Sequence, residues 1–378
     1  MRWGVPVAAV VVVGAAVGTG PVIAAVQGDP VLPERTAEQL LTEVARTAQQ
    51  GQVPPMSGTV VETASLGIPG LPEVTGESSS PISLLSGSHE AKVWYGGEDK
   101  VRVALPGRMS ETNLIVNGEQ VWLWDSAANT ATRIKVPAGE PERHQPPSPL
   151  PTAVTPQDAA KRLLDAADDH AAVSVTANDQ VAGRSAYQLV LTPKQTGSLV
   201  KEVRLALDGE TYVPLRVQVY AKDALEPAFE VGYTSVTFSP PAPENFAFTP
   251  PAGAKVEEQN LGERARHDEK TAEELGEHAE ELSGIKTVGE GWTTVAVAPF
   301  SSGDLAALRD GGDEGRGAEP GAAGLAAGVL DAAKPVSGAW GSGRLIQTKL
   351  ATALLTDDGW LLAGAVTPDV LYEAAGKK

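Results

Sequence analysis

The chain has 378 residues, 42% of them apolar, which is enough for about two domains with hydrophobic cores. The formal net charge is −18 with only 30 Lys and Arg residues, so the sequence lacks the basic surface that nucleic-acid binding requires. It contains no cysteine, which excludes disulfides, thiolate metal sites, cysteine nucleophiles and a lipid-modified cysteine.

The first segment, residues 1–27, is predicted to direct the chain out of the cytoplasm. Met1 and Arg2 precede a Val- and Ala-rich run over 3–26, and the first acidic residue is Asp29. This pattern is typical of a cleaved signal peptide, and the run is also nearly long enough for an uncleaved signal anchor. Both alternatives stay open. A buried amino-terminal helix is disfavoured because the run is apolar on all faces.

An amphipathic helix is predicted next. Thr36-Ala37-Glu38-Gln39 matches the capping-box pattern, and apolar residues then recur at helical spacing at Leu40, Leu41 and Val44. Gly51 and the two prolines that follow it end the helix. One side of this helix is therefore expected to lie against a hydrophobic core.

From Ser57 the apolar period changes to two, which predicts strands. A long loop over 64–88 separates the first two, and Asn117-Gly118 is a strong signal for a type I′ hairpin. The first six predicted strands are 57–64, 89–95, 100–105, 111–116, 120–125 and 131–136.

A proline-rich passage over 137–156 precedes a second predicted amphipathic helix, which begins at Pro156. Turns at Ala182-Gly183 and Asp208-Gly209 separate later strands. Five more strands are predicted at 172–176, 185–192, 201–207, 214–220 and 228–238. The total of about eleven strands, mostly joined by hairpins, predicts an antiparallel sheet.

The remainder is predicted to form a linker and a small second domain. Residues 257–284 are densely charged and favour a solvated helix, and 285–378 form an α+β unit. Within that unit we expect a strand at 292–300, a disordered insert at 301–321 and a helix at 325–333. Two strands joined through Asp358-Gly359 and a last helix opened by Thr367-Pro368 follow.

Catalytic signals are weak, and the chain is not expected to be an enzyme. No histidine spacing matches a metal site, and Gly341-Ser342-Gly343-Arg344 is interpreted as a turn before a strand. No cofactor or metal is predicted. An envelope hydrolase is a third, disfavoured hypothesis because no nucleophile and base are paired by any motif. The histidines considered are His89, His144, His170, His267 and His278.

The strand alternation predicts one apolar face and one polar face. Arg204, Arg216 and Glu230 fall on the polar face. The apolar face is either a packed core or the lining of a cavity. Trp122 and Trp124 share a face, and they either pack on the sheet or lie at a cavity mouth.

The series of strands closes with Phe246-Ala247-Phe248-Thr249-Pro250-Pro251, followed by a small-residue turn. This ending, together with the order of helix, strands and mid-sheet helix over about 32–256, resembles the LolA-type lipoprotein carriers and the RseB/MucB-type envelope sensors. The resemblance implies an α+β fold. Its main part is an unclosed antiparallel half-barrel of about eleven strands, lidded by amphipathic helices, at 28–256.

The resemblance further implies that the half-barrel holds acyl chains of a lipid or lipoprotein, as a carrier or an envelope sensor. The protein is then extracytoplasmic, tethered to the membrane through the amino-terminal segment or secreted. The alternative is a regulatory interaction module with a filled barrel that binds a membrane anti-sigma factor. The residues expected to contact lipid are Leu40, Leu41, Val44, Leu189, Leu205, Val217, Val219 and Val231.

Overall fold

The computed structural model describes residues 32–49, 53–69, 71, 85–135, 156, 170–260, 286–300 and 328–377. The leader, the body of the second predicted helix and the insert at 301–321 lie outside these ranges. Residues from Leu32 onward form one compact unit that includes two sheets. Within the described ranges, no helix combines the length and apolar character needed to cross a membrane.

The helices α1 (Ala37–Gln49) and α2 (Pro368–Ala375) stand near the two ends of the described chain, with eighteen strands between them. The large sheet contains β1 (Met56–Ser65), β2 (Ser86–Gly97), β3 (Lys100–Pro106), β4 (Glu111–Asn117), β5 (Gln120–Asp125), β6 (Thr130–Lys135), β7 (Ala171–Val181), β8 (Arg184–Pro193), β9 (Val200–Asp208), β10 (Pro214–Ala221), β11 (Phe229–Thr237) and β12 (Lys255–Asn260). The small sheet contains β13 (Lys286–Val288), β14 (Val295–Pro299), β15 (Lys334–Gly338), β16 (Gly341–Gln347), β17 (Thr352–Thr356) and β18 (Trp360–Gly364).

The large sheet is an open half-barrel with the order β12-β6-β5-β4-β3-β2-β1-β11-β10-β9-β8-β7. Two meanders meet where β1 pairs with β11, and every pairing is antiparallel except that of β12 with β6. β12 and β7 are the two edges, so the sheet does not close. The predicted fold class is therefore confirmed. β7 also contacts β11 although three strands lie between them, so this half of the sheet is strongly curled.

Residues 238–254, here called the crossover segment, cover the face of β3–β5 that is opposite the main apolar cluster. A short 3-10 helix, Pro243–Phe246, contacts β3 and β4, and Phe246 is buried. The ring of Phe248 lies 5.6 Å from that of Trp122 and 6.1 Å from that of Trp124. The two tryptophans thus pack between the sheet and the aromatic ending that the sequence singles out.

The small sheet has the order β13-β14-β18-β17-β16-β15, with every neighbouring pair antiparallel. α2 packs on β17 and β18 over a core that includes Leu354, Leu362 and Leu371. Backbone hydrogen bonds join this sheet to the large one: Leu199 N donates to Ala365 O at 2.8 Å. The predicted division into domains at 257–284 stays a prediction.

The predicted strands of the large sheet agree closely with those observed, with three differences. First, β7 continues to Val181 beyond a bulge. Second, the β4–β5 loop is Gly118 and Glu119, because Asn117 already pairs with Gln120. Third, the predicted linker helix is wrong at its start: 257–260 belong to β12, which gains a ladder of hydrogen bonds with β6.

The prediction is less complete for the small sheet. The predicted strand at 292–300 is shortened to β14 by a 3-10 turn, Gly291–Thr293. The strands joined through Asp358-Gly359 and the helix opened by Thr367-Pro368 are present. β13 and β15 have no counterpart in the prediction. Gly341-Ser342-Gly343-Arg344 lies inside β16, whereas the sequence predicts a turn before a strand there.

Candidate functional site

α1 packs on the apolar face of the large sheet, and its capping box fixes its first turn. Thr36 N donates to Gln39 Oε1 at 3.0 Å, and Gln39 N donates to Thr36 Oγ1 at 3.2 Å. The hydroxyl of Tyr187 on β8 donates to Pro33 O at 2.9 Å. The chain before α1 is therefore attached to the sheet, and the helix cannot slide along it without breaking this bond.

The structure brings all eight predicted lipid-contacting residues into one hydrophobic cluster. Six of them are at most 3% exposed, whereas Leu41 and Val219 are half-buried at its margin. Their common position follows from the alternation along the strands together with the helical spacing in α1. Contact with a lipid stays a prediction. The six are Leu40, Val44, Leu189, Leu205, Val217 and Val231.

The same apolar face continues across the junction of the two meanders. Val60 on β1 pairs with Ala91 on β2 and lies opposite Tyr233 on β11, and all three are buried. Beyond them, Val103 and Leu114 carry the face into the first meander. The cluster therefore spans both halves of the sheet, which is a wider surface than one helix covers.

Glu62 is a buried carboxyl on this apolar face that is not among the residues predicted from the sequence. It is 8% exposed and in phase with Val60 and Ala64 on β1, with Val231 opposite it on β11 and the half-buried His89 opposite it on β2. Burial raises the pKa of Glu62 from its ordinary value of 4.5 to about 7. The alternation along β1 could have identified Glu62, since an acidic residue on the apolar face of a strand is unusual and costly to bury.

A buried ion pair fixes the turn between β9 and β10. Arg184 donates through Nε and Nη2 to the fully buried carboxylate of Asp208, which also accepts from Thr211 N and Thr211 Oγ1, each at 2.8 Å. Burial alone acts to raise the pKa of Asp208, but the hydrogen bonds from Arg184 and Thr211 outweigh it and hold that pKa below its ordinary value. The pair stabilises the end of the sheet nearest to the start of α1.

The polar face of β7–β10 carries an open cavity of about 380 Å³. The sequence placed Arg204 and Arg216 on this face but did not group them into a site. The residues come together because the five strands from β11 to β7 curl. Nothing in the local sequence shows that curl. The cavity is lined by Thr176, Asp179, Gln188, Arg204, Arg216, Gln218 and Tyr220.

Groups suited to metal binding are absent from the described part of the chain, where no three His, Asp or Glu side chains cluster around a common point. Of the histidines, His89 lies on β2 and contacts Ser86 O at 3.1 Å, and His170 lies before β7 beside Gln195 Nε2 at 3.1 Å. His144, His267 and His278 lie outside the described residues.

No protein-family model matches the chain, and no curated protein matches it. Among solved structures, it is similar to the Pseudomonas aeruginosa MucA/MucB complex, with 12% identity over 89% of this chain and 96% of that chain and a TM-score of 0.41. It is also similar to LprF from Mycobacterium bovis, with 12% identity over 59% of this chain and 99% of that chain and a TM-score of 0.29.

A LolA superfamily protein from Nitrosomonas europaea is similar at 12% identity over 57% of this chain and 99% of that chain, with a TM-score of 0.20. Structures from both groups that the sequence resembles, MucB and the LolA superfamily, are thus among those found. At these identities and TM-scores the likeness carries no argument about function.

Proposed function

We propose that this chain is an extracytoplasmic binding protein that holds acyl chains of a lipid or lipoprotein against the apolar face of the large sheet. The observation that supports this function is the continuity of that face across both meanders, beneath an amphipathic helix. Each methylene removed from water contributes about 0.8 kcal/mol, so a long acyl chain gains most from a surface that is wide and apolar throughout.

In this proposal α1 acts as the cover. Leu40 and Val44 hold it to the sheet, and the half-buried Leu41 and Val219 form the margin at which an acyl chain first makes contact. An entering acyl chain would replace contacts between α1 and the sheet with its own contacts to the sheet. The residues provide apolar contact and no chemistry, so binding depends on shape and area.

Glu62 gives the proposed surface a dependence on pH. With its pKa near 7, the carboxyl is mostly protonated below neutral pH, and the face then carries no charge at this position. Above that pH a buried carboxylate opposes the burial of an acyl chain beside it. Lipid binding should therefore be tighter on the acidic side of pH 7.

The alternative function is a regulatory interaction module whose interior is filled and whose partner is a protein such as a membrane anti-sigma factor. The observation that favours it is the near-complete burial of Leu189, Leu205 and Val231 by the protein's own atoms. In this case the surface that binds the partner lies elsewhere, and the apolar cluster is an ordinary core.

Placement outside the cytoplasm belongs to both proposals and rests on the apolar run at 3–26. In the tethered form, the amino-terminal segment stays in the cytoplasmic membrane, and the protein holds its ligand close to the bilayer. Sequencing the amino terminus of the mature protein distinguishes the tethered form from the secreted form, because cleavage near residue 27 removes the anchor.

The decisive experiment is to purify the protein from its native envelope and to analyse an organic-solvent extract by mass spectrometry. A stoichiometric lipid supports the binding protein, and repeated empty extracts favour the interaction module. The matched variants are Leu41→Gln, at the margin of the cluster, and Thr42→Gln, on the exposed side of the same helix turn. We expect at least about ten-fold less bound lipid for L41Q than for T42Q.

A further inference from the structure

The cavity on the polar face of β7–β10 has no part in the proposed acyl-chain site. Successive strand residues alternate between faces, so its lining residues point away from the cluster that contains Leu189, Leu205 and Val217. Its volume of about 380 Å³ is in the range of small-molecule sites.

The carboxylates around this cavity are already engaged by the protein itself. Asp179 accepts hydrogen bonds from Arg216, from Gln188 Nε2 at 2.9 Å and from Gln180 N at 2.8 Å. Glu202 Oε1 accepts from Arg204 Nε at 2.8 Å and from Arg204 Nη2 at 2.5 Å. Glu230 Oε2 likewise accepts from Gln218 Nε2 at 2.8 Å, so each of these carboxylates already has a donor within the protein.

The guanidinium groups, in contrast, retain unused donors. Among the contacts of the described residues, Arg216 donates one hydrogen bond, to Asp179, out of the five N–H groups that arginine carries. Arg204 uses two N–H groups on Glu202 and reaches the Tyr220 hydroxyl only at 3.5 Å, with its guanidinium 4.4 Å from the centre of that ring. The unfilled bonding capacity of the two arginines is therefore donor-type.

The strand register sets the spacing of these two cations. Arg204 pairs with Gln218 and Arg216 pairs with Ala206, so the two arginines are diagonal neighbours about 7 Å apart at their bases. A single guanidinium satisfies a planar carboxylate, whereas donors from two guanidiniums on adjacent strands suit the oxygens of a tetrahedral group. We propose that this cavity binds a phosphate group, carried either by a soluble phosphate ester or by a phospholipid head.

The test uses the mature chain and inorganic phosphate as the probe, titrated by calorimetry, with acetate as the planar comparison. Arg216→Gln and Arg204→Gln are each expected to weaken phosphate binding about ten-fold, as the loss of a charge-assisted hydrogen bond does. The matched control is Arg344→Gln, which removes the same charge from an exposed position on β16. Equal phosphate affinity in all three variants overturns the proposal, as does acetate binding as tight as phosphate.

Two further measurements complete the test. Circular dichroism shows whether each variant is folded. If R216Q does not fold, R204Q alone tests the proposal, because the Arg204 side chain is 37% exposed against 23% for Arg216 and its replacement should disturb the fold less. If phosphatidylglycerol vesicles capture the wild-type protein but not R204Q, the ligand is a lipid head group. Binding of glycerol phosphate without vesicle capture assigns a soluble ester. The proposal is overturned if neither the vesicles nor glycerol phosphate bind in a way that depends on the two arginines.

Discussion

Replacing Glu62 with Gln should make the protein more stable at alkaline pH and leave its stability at acidic pH nearly unchanged. The carboxyl ionises with a pKa of about 7 in the folded state against 4.5 when unfolded. The folded state therefore holds the proton more tightly, and stability falls as pH rises from 4.5 to about 7 before levelling off. One pKa unit corresponds to about 1.4 kcal/mol, so the full loss is about 3 kcal/mol.

Urea unfolding of the wild type and E62Q at pH 5 and pH 8 measures this effect directly. We expect the variant's advantage to grow by about 2.5 kcal/mol between the two conditions, because Gln keeps the shape of the side chain but cannot ionise and pH 5 already lies slightly above the unfolded pKa. Glu90→Gln, at an exposed position on β2, is the control. An advantage of E62Q that is equal at both pH values would refute the reasoning.

Three further predictions concern stability. Phe246→Ala should cost about 3 to 5 kcal/mol in urea unfolding, since it empties a buried site under the crossover segment, and a loss below 1 kcal/mol would contradict that packing. Arg184→Leu should cost about 3 kcal/mol at pH 7 because it leaves Asp208 buried without its cation. That loss should shrink as acidic pH protonates Asp208, because the neutral carboxyl needs no cation, and an R184L deficit independent of pH would argue against the pair. Tyr187→Phe should cost about 1 kcal/mol and speed hydrogen exchange in α1, whereas unchanged exchange would show that the hydroxyl does not hold the helix.

The large sheet could be predicted from the sequence because its information is local. Hairpins such as β7–β8 carry their turn in the sequence, and Ala182 and Gly183 both adopt the positive φ that a two-residue turn requires. β12 could not be predicted in this way. Its charged residues favour no burial, and its parallel partner β6 is distant in sequence, so no local pattern marks the pairing.

The same contrast between local and long-range information applies to the two candidate sites. Helical and strand periodicity located the apolar cluster, since each contributor already belonged to an apolar stripe. The cavity with Arg204 and Arg216 depends on the curl of the second meander and on a bulge in β7 between Thr176 and Asp179. Each of these polar residues alone is typical of a solvated strand face, so only the tertiary structure joins them.

The pairing of β1 with β11 determines the order in which the sheet can be completed. β1 is synthesised well before β11, yet one of its two edges has no partner until β11 follows. In that interval the first meander exposes an unpaired edge, which is a known route to aggregation. Long-range pairing of this kind also folds slowly. Folding of this chain should therefore depend on a holding chaperone more than folding of a domain of equal size built only from hairpins.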